Sequence, residues 1–146
     1  MHKRQAIREN IKTTLTGLAE TGNRVYVNRV YPITQDIQSG IIIFNDNEQI
    51  KYLTMGTDRR QERVATYKVE LYVKNNTGYD SKVDEICLQV EDALYQDATR
   101  GGYALDTMIS NFSVDYNGDG DVPVGIGILD VVVKYHTTES SISVGA

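Results

Sequence analysis

The chain has 146 residues, 40% hydrophobic and 24% charged, with a formal net charge of −5. That is enough for one domain with a single core, and too apolar for disorder throughout. The acidic balance argues against a sequence-independent grip on phosphates, one cysteine excludes an intramolecular disulfide, and no apolar run approaches the roughly 20 residues of a membrane span.

The opening MHKRQAIRENIK has charges but no apolar centre, so it is not a secretory signal, and no lipidation motif accompanies it. The expectation is a soluble protein made in a cytoplasm. Ten tyrosines stand against two phenylalanines and no tryptophan. Tyrosine suits half-buried contact surfaces, where its ring packs and its hydroxyl stays wet, but it also favours strands.

Residues 3–20 read as an amphipathic helix with Ile7, Ile11, Leu15 and Leu18 on one face. The TGN at 21–23 supplies a glycine to end it. RVYVNRVY at 24–31 alternates as a short strand, closed by Pro32, which cannot donate into a sheet ladder. GIIIFN at 40–45 is a continuous apolar run that suits a strand buried on both faces. Residues 46–61 are polar around a short apolar centre and read as a long hairpin excursion, with a small strand at 50–55. The strongest strand is 62–74: Ala65, Tyr67, Val69, Leu71 and Val73 point one way, and Thr66, Lys68, Glu70, Tyr72 and Lys74 the other.

NNTGYDS then turns the chain, and Asp80 or Ser81 can cap a second helix over about 81–97. Val83, Ile86, Cys87, Val90 and Leu94 form its apolar stripe. A loop over 98–107 leads to two strands, ISNFSVDY and VPVGIGILDVVVKYH, the second apolar on both sides. Residues 1–138 form one domain by this reading, and 139–146 a flexible tail. Helices separated by runs of strands predict an α+β fold: a mostly antiparallel mixed sheet of about five to six strands with both helices on one face.

Chemistry is sparse. His2 and His136 lie near the ends and neither accompanies a nucleophile. Cys87 sits on an apolar helix stripe, where a small buried hydrophobe explains it. The glycines of GDGDVPVGIG precede a strand rather than a helix N-terminus, so they do not form a phosphate cradle. No catalytic residue and no cofactor site is expected. DYNGDGD at 115–121 matches the front half of a calcium loop, with Asp115, Asn117, Asp119 and Asp121 at alternate positions. A twelve-residue loop from Asp115, however, places Ile126 where a bidentate glutamate is required, and its flanks are strands. A wide hairpin turn fits it better, with a small calcium-binding module as the alternative. Arg59, Arg60 and Arg63 form a basic cluster, read as a solvated loop or as a contact to an acidic neighbour such as a second copy.

The order and spacing of LTGLAETGNRVYVNRVYPI, GIIIFN, RVATYKVELYVK, DEICLQVEDAL and VPVGIGILDVVVKYH resemble the tail-terminator, or minor tail, proteins of long-tailed bacteriophages, over about residues 3–136. The stretch ITQDIQSG after Pro32, the excursion at 46–61 and NGDGD depart from that pattern. The resemblance implies a structural virion protein without catalysis. Such proteins form a hexameric ring that caps the head-proximal end of the tail tube. The cap stops polymerisation of the major tail tube protein and offers a docking surface to the head–tail connector or head-closure protein. Another neck component, a head-closure protein or a tube subunit, is the nearest alternative, although two helices favour the terminator. DNA would pass through the lumen without specific binding, and an acidic lining would suit that passage. Arg59, Arg60, Arg63, Asp115, Asp119 and Asp121 are the candidate inter-subunit or partner contacts.

Overall fold

The computed structural model describes residues 1–27, 39–74, 79–117 and 124–143. Helix α1 spans Lys3–Leu15, β1 Val25–Tyr26, β2 Ser39–Tyr52 and β3 Arg60–Lys74. Helix α2 follows over Tyr79–Tyr95, then β4 Asp106–Asn117 and β5 Val124–Thr138. The strands form one five-stranded sheet in the order β1-β2-β3-β5-β4. Only β1 with β2 is parallel; the other three pairings are antiparallel. The fold is therefore the expected α+β arrangement with a mixed, mostly antiparallel sheet.

Alternation on the strands decides where the core lies. Ala65, Tyr67, Val69, Leu71 and Val73 of β3 share one face with Ile41 and Ile43 of β2 and with Leu129, Val131 and Val133 of β5. Against that face pack Ile7, Ile11 and Leu15 of α1, and Val83, Ile86, Val90 and Leu94 of α2. Both helices thus cover the same side. Burying one such Leu or Ile fully is worth about 1.5–3 kcal/mol relative to leaving it in water. Gly127 lets α2 approach β5 closely: a Cβ there would lie 2.7 Å from Val83 Cγ1 and 3.1 Å from Phe112 Cε2.

Helix α1 is shorter than the periodicity predicts. Its N-terminus is capped by His2, whose Nδ1 accepts from the Arg4 N–H at 2.9 Å. At the other end Thr16 is already extended, and Gly17 follows at φ 93°, a conformation open to glycine at little cost. The glycine that stops the helix is therefore Gly17, a turn before the TGN. Leu18 still packs against the core, held in a small turn closed by Gly17 N to Gly22 O and Gly22 N to Leu18 O, both 2.8 Å.

The run GIIIFN is buried on both faces as expected: Ile41, Ile42 and Ile43 are fully buried. What the sequence splits into a strand at 40–45 and a small one at 50–55 is a single strand. Asp46 is the extra residue of a β-bulge between the Asn45–Tyr67 and Asn47–Thr66 pairs, and the ladder continues to Tyr52–Gln61. The β2–β3 hairpin therefore reaches past the end of β4, whose first pair is Asp106–Lys134, by the rungs Arg60–Thr138 to Arg63–Tyr135. Of the strand predicted at 24–31, the described part is Val25–Tyr26; Pro32 lies outside the described residues. Helix α2 begins at Tyr79, which puts Ser81 inside its first turn rather than at its cap. Within the expected tail, Lys3 N donates to Ile142 O at 2.9 Å, and His2 bridges Ser143.

Candidate functional site

The described residues carry two features beyond an ordinary core: a charged cluster under α1, and exposed apolar surface on the hairpin and along β4.

The cluster centres on Glu48, brought to the helix-facing side of β2 by the bulge at Asp46. Arg4 Nη2 donates to Glu48 Oε2 at 2.7 Å and Arg4 Nε to Oε1 at 3.1 Å. Arg63 Nη1 also donates to Oε2, at 2.8 Å, and the Tyr135 hydroxyl to Oε1 at 2.7 Å. Tyr67 adds a bond from its hydroxyl to the Arg4 carbonyl at 2.8 Å. Burial alone would raise the Glu48 carboxyl, but the bonds from Arg4, Tyr135 and Arg63 outweigh it and hold the group below its ordinary value. Burial and the Glu48 carboxylate push the Tyr135 hydroxyl up to about 12. With four bonds engaging its carboxylate lone pairs, this is a clamp joining α1 to the sheet rather than a reactive group.

The arginines anticipated as one cluster separate. Arg63 falls in the alternation series of Ala65 and Tyr67 and is buried inside the clamp. Arg59 and Arg60 stay exposed near the hairpin tip. Arg59 lies over the Tyr52 ring, 5.5 Å from its centroid, and its Nε donates to Gly56 O at 3.1 Å. Asp115 is exposed on β4 opposite Ile126, on the sheet face away from the helices. Asp119 and Asp121, with most of the DYNGDGD turn, lie outside the described residues. Cys87 packs with the core, and burial together with Glu91 pushes its thiol up to about 12.

Strand β4 lies at one edge of the sheet, with Met108, Phe112 and Val114 exposed. Along β5 the sheet face away from α1 and α2 is half-buried and mixed: Ile126, Ile128 and Val132 lie beside the Lys68–Asp130 pair, whose Nζ and Oδ1 are 2.6 Å apart. Between α2 and β4 run two adjoining grooves of about 500 and 560 Å³. Leu88, Tyr95 and Phe112 line them with Asp84, Glu91, Asp92 and Asp106. Sequence reasoning missed the clamp, whose members stand far apart in the chain. The parity of Arg63 within β3 was the one available signal.

No family model matches the sequence, and no curated protein matches it. Among solved structures the chain is similar to a chain of the virion of a native gene transfer agent particle, at 11% identity and a TM-score of 0.52. The likeness spans 93% of this chain and 92% of that one, so the two share a fold from end to end.

Proposed function

We propose that this chain is a structural protein of a phage-like virion, a tail terminator that closes into a hexameric ring on the head-proximal end of the tail tube. The observation that carries the reading is the likeness, over nearly the full length of both chains, to a chain of a gene transfer agent virion. The resemblance of residues 3–136 to tail terminators supplies the finer assignment. An open apolar edge strand and a projecting hairpin suit a protein that works by contact. In this role the ring stops addition of the tube subunit, receives the head connector and leaves a passage for DNA.

The test is deletion of the gene followed by electron microscopy of the particles. Overlong tails detached from heads are expected. Tails of normal length joined to heads would overturn the terminator assignment, and an absence of tubes would point instead to a tube subunit.

A further inference from the structure

Apart from Met1, the exposed large apolar side chains of the described residues gather in two places. One is the β2–β3 hairpin, with Ile50, Tyr52, Leu53 and Met55 exposed, Met55 to 95%. The other is the side of the molecule formed by α2, the loop after it and β4. Exposed apolar surface gathered this way marks an interaction site more often than scattered residues do.

The two patches are opposite in charge. Over residues 50–60 the hairpin carries Lys51, Arg59 and Arg60 against the one carboxylate of Asp58, a net charge of +2 that the Glu139 carboxylate, 3.9 Å from Arg59 Nε, offsets by one. Among the described residues, the grooves between α2 and β4 are lined by four carboxylates, Asp84, Glu91, Asp92 and Asp106, and by no lysine or arginine. None of those four carboxylates, nor Arg60, enters an ion pair among the described residues. At a net charge of −5, two copies repel unless a basic element of one meets an acidic element of the other. The hairpin and the groove provide that pairing.

Position makes the contact intermolecular. Strands β2 and β4 are separated by β3 and β5, so hairpin and groove lie about three strand spacings apart, roughly 14 Å. A contact between two different patches is head-to-tail, the kind that builds closed rings or open filaments.

We propose that the β2–β3 hairpin of one copy docks in the α2–β4 groove of the next, with Met55 and Leu53 against Leu88, Tyr95 and Phe112, and Arg59 and Arg60 facing Asp84, Glu91, Asp92 and Asp106. This rests on the ring reading above and names its subunit contact.

Sedimentation velocity on the purified chain tests it with a hairpin variant (Met55→Asp, Arg60→Glu) and a groove variant (Leu88→Asp, Asp92→Lys). All four positions are exposed, so thermal melts should match the wild type. The wild type is expected to self-associate, and each variant alone to stay monomeric. An equimolar mixture should stop at a heterodimer, because the hairpin variant keeps a groove and the groove variant keeps a hairpin. Either variant associating as the wild type does overturns the contact but leaves the ring. So does a mixture that remains monomeric while the wild type associates, because hairpin and groove would then not be each other's partners. A wild type monomeric at every concentration overturns the ring reading, and the contact with it.

Discussion

Arg63 Nη1 donates to Glu48 Oε2 across 2.8 Å, with both side chains more than nine-tenths buried. Because Glu48 also accepts from Arg4 and Tyr135, one carboxylate joins the N-terminal turn of α1 to β2, β3 and β5. Removing it strands a buried guanidinium.

The first prediction follows from that isolation. Glu48→Ala should destabilise the fold by about 3–5 kcal/mol, the usual result of deleting one member of a buried pair. Urea unfolding of the variant beside the wild type checks the value, and a loss under 1 kcal/mol would show that the clamp contributes little.

The second concerns acid. A carboxylate held below its ordinary value binds fewer protons folded than unfolded, so its contribution is complete above about pH 4.5 and disappears as pH falls through the folded value. His2 acts in a higher window. Burial and Arg4 lower its imidazole, which must be neutral at Nδ1 to accept from the Arg4 amide. Its contribution is complete above about pH 6.5 and is lost below it. Stability against pH should therefore fall in two steps, and His2→Asn, which keeps a capping acceptor, should abolish the upper one.

The third is steric. A Cβ on Gly40 would stand 2.4 Å from the Tyr72 hydroxyl oxygen and 2.6 Å from its Cζ, and Tyr72 is fully buried. Gly40→Ala should cost about 1–3 kcal/mol, as overpacking does. Gly56, at φ 98° in the hairpin turn with open space around it, is the contrast: alanine there meets backbone strain alone. Thermal melts of both variants separate crowding from strain.

The fourth uses Cys87. With its thiol pushed up to about 12, almost no thiolate exists at neutral pH, so alkylation of the folded chain should be much slower than that of the urea-unfolded chain. Mass spectrometry after timed iodoacetamide treatment reads the two rates. Equal rates would mean that the groove exposes the sulfur.

The strand faces were legible because period-two alternation is local, and β3 shows it without interruption. The end of α1 was not, because two glycines offered stops and the choice fell to the nearer one, after three threonines in four residues. The continuity of β2 was hidden by its own composition. Residues 46–49 look like loop until β3 supplies partners for them, and that pairing is long-range. The clamp was illegible for the same reason, since Arg4, Glu48, Arg63 and Tyr135 meet only once the sheet exists. Charge at the hairpin was visible, but its division was not: Arg63 turns inward by strand parity, while Arg59 and Arg60 lie toward the tip.

The bulge at Asp46 gives this strand one residue of slack. Deleting Asp46 would close the ladder without altering any pair beyond it, so Glu48 would still stand opposite Ala65 and under Arg63. A second deletion has no such reserve and would carry Glu48 to the other face. Natural variants of this chain should accordingly differ in length by at most one residue near 46, and not at all from there to Tyr52.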